Sequence, residues 1–271
     1  MKLWYQSMTR ESAWSAYNET LRKILDRVKD ADTAIEVHGI SKRGGIGDHY
    51  RYLAFIETQE VLENVERATR EGFDAFLIGN IADPGLREAR EITTIPVFGL
   101  CETSVHLACM QGANFSIITG NEKHAPKIVE NIGRYGLKDR LHSVRRMSVE
   151  RLVDLDAGFS DPALRARLID EFLTAARESV LEGAEVIIPA IGVLMTLLAD
   201  EGIYCVDDRV PVLSGITALV KMGEAAVRMR SLTGGFWTSK RAMYASPPPS
   251  QIDEMRQFYG DVYTAEKGRG A

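Results

Sequence analysis

The stretch REGFDAFLIGN (70–80) returns in kind as LEGAEVIIPAI (181–191). Each runs glycine, any residue, acid, then a short apolar run, with the glycines Gly72 and Gly183 lying 111 positions apart. A helical segment follows each run, and each then reaches a Pro-Val pair, at Pro96 and at Pro211. That second offset is 115, so the later copy carries four extra residues, in ADEGIYCVDDR (199–209). Short apolar runs bounded by glycine or proline and separated by helix-length segments predict parallel βαβ units. Their repetition predicts two similar α/β halves facing each other.

The same alternation extends outward in both directions. Before the first copy, KLWYQ (2–6) and AIEVHGI (34–40) read as strands flanking a helix over about 12–29. A glycine-rich loop, SKRGGIGDHY (41–50), then opens the helix that runs into Gly72. After it, DPGLREAREI (83–92) reads as a helix, with Asp83 as cap and Pro84 as the favoured first-turn proline. IPVFGL (95–100) is the fourth strand. NFSIIT (114–119) opens a second round that continues through LHSVRRM (141–147), EVIIPA (185–190) and PVLSG (211–215). The expected fold class is α/β: two pseudo-symmetric Rossmann-like lobes with parallel sheets and a site in the cleft between them. One lobe takes residues 1–108 plus 206–230 and the other 109–205. Residues 231–271, with a triple proline and several aromatics, form an extension expected to dock on this protein or on a neighbouring subunit.

Composition narrows the function. The 271 residues are 45% hydrophobic and 26% charged with net charge -5, so neither disorder nor a nucleic-acid partner is indicated. No apolar run approaches ~18 residues, so no membrane span is expected. Three cysteines without CxxC spacing argue against a disulfide framework or a thiolate zinc site. The five histidines show neither HxH nor HExxH spacing, so no metal is expected. The reading is a cytoplasmic protein.

Ligands of parallel α/β folds gather where strands end and helices begin. The polar residues at those places are Gln6, Ser7, Thr9, His38, Asn80, Cys101, Glu102, Thr103, Thr119, Asn121 and Ser214. Each hydroxyl or amide could simply cap its helix. Asn80 differs, because Asp83 is the better cap and leaves Asn80 to face a ligand. Cys101 stands at a helix start, where a thiol is acidified, although a small buried residue fits there equally well. The loop before the second helix carries His49 towards the pocket.

GFDAFLIGNIADPGLREAREITTIPVFGLCETSVHLACMQGANFSIIT (72–119), with PVLSGITALVKMGEA (211–225), resembles the Asp/Glu/hydantoin racemase superfamily, closest to its hydantoin-racemase-like branch. The resemblance spans about residues 1–230. It implies two pseudo-symmetric lobes, no cofactor and frequent homo-oligomers. It also implies one cysteine at a strand end in each lobe, one thiolate removing the α-proton and the other thiol returning it from the far side. Those positions align with Asn80 and with Ile191, or Gly192 if the register slips by one. Neither aligned residue can exchange protons. Three readings follow. The first is a cofactor-independent enzyme acting on a small carboxylate or cyclic amide by hydrolysis, lyase chemistry or isomerisation. Cys101, His49 or Glu102 would be its catalytic groups, and Gln6, Asn80, Thr103, Thr119 and Ser214 would bind. The second is a true racemase with substitute bases, and the third a ligand-binding protein without turnover.

Overall fold

The computed structural model describes residues 1–47, 50–149 and 151–263. The first lobe runs β1 (Lys2–Gln6), α1 (Ser15–Val28), β2 (Ala34–His38), α2 (Arg51–Arg70), β3 (Ala75–Ile78), α3 (Leu86–Ile92), β4 (Val97–Gly99) and α4 (Leu100–Gln111). The second runs β5 (Phe115–Thr119), α5 (His124–Arg134), β6 (Leu141–Arg146), α6 (Pro162–Leu181), β7 (Ile187–Pro189) and α7 (Gly192–Asp200). A short hairpin follows, β8 (Cys205–Val206) and β9 (Val210–Pro211), then α8 (Gly215–Thr233) and α9 (Pro249–Tyr259). The first sheet has the order β2-β1-β3-β4 and the second β6-β5-β7, both parallel. This is the α/β architecture that the alternating runs predict.

Strand periodicity divides the core. Leu3, Tyr5, Ala75 and Leu77 face one cluster, while Trp4, Phe76, Ile78 and Val97 face another with Val61, Val65 and Ala68 of α2 and Leu86 and Ala89 of α3. Both faces of the first sheet are thus covered at β1, β3 and β4, which is why those strands carry continuous apolar runs, whereas the edge strand β2 stays partly exposed. The first cluster also takes Ile117 of β5 and Ile188 of β7, so a single core joins the two lobes.

Two expectations change. The segment after 205 does not go as one piece to the first lobe. Val212 bridges Ile187, extending the second sheet, whereas α8 packs on β3, β4 and α4 of the first. Gly223 makes that packing possible, since a Cβ there would lie 2.7 Å from Leu77 Cδ2. Asp83 does not cap α3, which starts only at Leu86 after a left-handed Gly85. Its carboxylate instead accepts from the Cys101 and Glu102 N–H groups at 2.9 and 2.8 Å, satisfying free donors of α4 from another element. The described residues of the C-terminal extension form a strap on α3, and none of them lines the cavity described below. Lys240 Nζ donates to the Arg90 and Glu91 carbonyls at 2.6 and 3.0 Å, a cation placed at the negative helix end. Trp237 packs on Phe98, as its aromatic character suggests.

Candidate active site

A cavity of about 250 Å³ opens at the carboxyl ends of the strands. The segments after β1, β3 and β7 supply its floor: Ser7 to Thr9, Gly79 to Ala82, and Ile191 to Val193. Helices α2 and α5 supply the remaining walls with Arg51, Phe55, Glu57, His124 and Lys127, and Trp14 and Tyr17 come from the start of the first lobe. The two floor segments after β3 and β7 sit together: a Cβ on Gly192 would lie 3.5 Å from the Gly79 carbonyl. Gly79 itself must be glycine, because a Cβ would strike the Tyr5 ring at 2.3 Å.

Asn80 lines this cavity. Its Oδ1 accepts from the Ala82 N–H at 2.8 Å, an Asx turn that shapes the loop and leaves the Nδ2 amide as the donor it can offer a ligand. Ile191, the residue in the matching position of the second copy, lines it too. The repeat read from sequence therefore places its two equivalent strand ends around one space.

Most other sequence candidates lie elsewhere. Gln6 is fully buried and fully engaged: its Oε1 accepts from Trp4 Nε1 and Asn64 Nδ2, and its Nε2 donates to the Ser7 and His38 carbonyls. It is a structural amide whose neighbours Ser7 and Thr9 take the cavity position. Cys101 is buried, and burial, with Asp83 and Glu102 adding to it, pushes its thiol well up rather than down. The helix-start effect is cancelled because the Asp83 carboxylate occupies the N–H groups. Glu102 forms a two-point ion pair with Arg90, one contact at 2.9 Å, outside the cavity. Thr103 is buried in α4, and Ser214 pairs with Thr217 Oγ1 at 2.8 Å. Cys109 is half-buried and Cys205 exposed, so none of the three cysteines lines the cavity. Thr119 does not line it but acts on it, its hydroxyl lying 2.8 Å from His124 Nδ1. His49 lies outside the described residues. Among the described residues no group of three or more His, Cys, Asp or Glu is placed to hold a metal.

The lining thus contains ionisable groups that sequence reasoning passed over. Burial, with Arg51 alongside, holds the Lys127 ammonium below the ordinary lysine range. Arg51 pairs with Glu130 at 2.6 Å. Glu57 accepts from the Gly45 N–H at 2.7 Å and so fastens the glycine-rich loop to α2. Burial pushes the Tyr17 hydroxyl up to about 12, partly offset by hydrogen bonds to Ser7 and Thr196. The signal that could have found His124 and Lys127 was their place in the first turn after β5, the same criterion that selected Asn80.

The family model described as Asp/Glu/Hydantoin racemase matches residues 13–223. The chain belongs to the Asp/Glu/hydantoin racemase family. A hydantoin racemase of Rhizobium meliloti is 32% identical over 193 residues, covering 69% of this chain and 72% of that protein. A second, from Pseudomonas sp. (strain NS671), is 29% identical over 222 residues, covering 80% and 81%. Among solved structures, an allantoin racemase from Klebsiella pneumoniae superposes with a TM-score of 0.76 at 24% identity, covering 92% of this chain and 94% of that one. That likeness shows the two-lobed fold of the racemase family. Within this member of the Asp/Glu/hydantoin racemase family, no described helix is long and apolar enough to cross a membrane.

Proposed function

We propose that this racemase-family chain is a cofactor-independent enzyme that binds a small carboxylate or cyclic amide in the inter-lobe cavity. There it moves a proton at the carbon beside a carbonyl group, using acid/base groups other than thiols. The observation that carries the reading is the lining itself. The two equivalent strand ends bring Asn80 and Ile191, while His124 and Lys127 supply groups that can exchange protons. Asn80 Nδ2 is a donor suited to a carbonyl oxygen as it gains charge. Arg51 favours an anionic substrate. The hydantoin racemases among its relatives make cyclic amides the first substrates to try.

Hydrolysis or elimination is the second reading, favoured by the lack of an ionisable group at both Asn80 and Ile191. The test is incubation in D2O with a panel of substituted hydantoins and small α-substituted carboxylates, followed by NMR. Exchange of the α-proton without ring opening is the expected result. Ring-opened or eliminated product would replace isomerisation by the second reading. Saturable binding with neither exchange nor product would make the chain a binding protein.

A further inference from the structure

A lysine condenses with a carbonyl compound when burial or a neighbouring cation disfavours its charge, so that the neutral, nucleophilic amine is present near neutral pH. Lys127 meets both conditions inside the cavity. It is half-buried in the lining, and burial, with the Arg51 guanidinium alongside, weakens its hold on the proton. Its place in the first turn of α5, at the positive end of the helix dipole, works in the same direction. Glu57 and Glu130 pull the other way through space, and burial prevails.

The groups that such a condensation needs stand with it. His124 precedes Lys127 by three positions, hence is its neighbour on the helix surface, and also lines the cavity. The Thr119 hydroxyl holds the His124 ring at Nδ1 over 2.8 Å, and both residues are buried. An imidazole gains and loses its proton near neutral pH, which suits it to protonate a departing oxygen. Arg51 spends Nη2 on Glu130 Oε2 at 2.6 Å and keeps further N–H donors for a carboxylate. The cavity, about 250 Å³, lies below the ~300–1,000 Å³ of sites for drug-sized ligands and so takes a molecule of few heavy atoms.

We infer that Lys127 captures the carbonyl carbon of a small oxo acid as an imine, an activity beyond the proton transfer proposed above and independent of it. The Nζ lone pair adds to the carbonyl carbon, and the C=O π pair moves to the oxygen. A proton passes from that nitrogen to that oxygen, giving a carbinolamine. The C–O bond then breaks and its electron pair leaves with the oxygen, to which the protonated His124 ring gives a proton. The nitrogen lone pair closes the C=N bond and water is released. The iminium carries the positive charge that His124 gave up, and neither an oxidant nor a reductant is needed. Cyclic amide carbonyls are too weakly electrophilic for this step, whereas an aldehyde or ketone carbonyl is not. The carboxylate of the oxo acid is the group that Arg51 recognises.

The test incubates the full chain near neutral pH with pyruvate or glyoxylate and sodium cyanoborohydride, which reduces an iminium to a stable secondary amine. Peptide mass spectrometry then locates the adducts. Labelling of Lys127 should saturate with oxo acid and exceed that of the exposed, ion-paired Lys23 and Lys42 by about tenfold or more, since each pH unit of lost basicity raises the neutral fraction about tenfold. Labelling spread over the lysines according to exposure, or Lys127 left unlabelled, would overturn the proposal. Pyruvamide should need about tenfold more for half-saturation, because it lacks the charge that Arg51 reads; equal values would overturn the oxo-acid class. Lys127→Arg keeps a cation that cannot be deprotonated and should lower the saturable labelling about tenfold or more; labelling that persists would remove Lys127 from the step. The site of labelling in the unmodified chain decides the question even if the variant does not fold. Hydantoin exchange in D2O is read separately, so either reading can fail while the other stands.

Discussion

Replacing Asp83 by asparagine should remove a pH dependence that the fold builds into its own stability. The carboxyl is buried, and burial pushes it from 3.8 up to about 7 against three hydrogen bonds, from Tyr135 and the Cys101 and Glu102 N–H groups, that favour its charged form. An acid raised in the folded state binds its proton more tightly there than in the unfolded chain. Its contribution is therefore fully present below pH ~4 and is lost as pH rises through about 7. A shift of about 3 pH units corresponds to roughly 4 kcal/mol in all, of which about 2.5 kcal/mol falls between pH 5 and pH 8. Asparagine tolerates the left-handed backbone at this position, where φ is 46°, so the substitution tests the charge and not the turn. It leaves one N–H of α4 without an acceptor, a pH-independent loss of about 1–3 kcal/mol. The assay is urea unfolding of both proteins at pH 5, 6, 7 and 8, taking the difference so that other carboxylates cancel. The variant should gain on the unmodified chain by roughly 2.5 kcal/mol across that range. A difference constant to within about 0.5 kcal/mol would refute the reasoning.

Other expectations follow from the same geometry. Asn80→Cys combined with Ile191→Cys should create racemisation of hydantoins that thiol alkylation abolishes, because both positions line one cavity; polarimetry before and after alkylation checks it. Cys101→Ala should leave turnover within about twofold and cost about 1 kcal/mol of stability, since this thiol is buried outside the cavity. Gly99→Ala should destabilise by about 1–3 kcal/mol, because its Cβ would lie 2.5 Å from the Asp83 carboxylate; thermal and urea unfolding read this directly.

The fold was legible because burial on both faces imposes its signature locally. Ala75–Ile78 and Ile187–Pro189 are apolar throughout, and a strand so composed must sit inside a covered sheet. The site was legible only in part. Asn80 stood out because a strand end and a helix start flank it. Gln6 and Cys101 satisfied the same rule yet went into the interior. Successive residues of a strand point to opposite faces, and Gln6 falls on the face of Trp4, bonded to it and to Asn64 and outside the cavity lining. For Cys101 the deciding partner was Asp83, 18 positions earlier, whose carboxylate consumes the helix donors that would have acidified the thiol.

By itself, then, the sequence determined the alternation of strands and helices and the twofold repetition, because each is written in spacing along the chain, and its motifs carried the resemblance to the family. Tertiary structure alone decided which side chains share the cavity. His124 and Lys127 meet Arg51 and Asn80 only after two lobes pack on a common core. Tertiary structure also set the basicity of Lys127 and Asp83, because desolvation and neighbouring charge belong to three-dimensional surroundings and not to the order of residues.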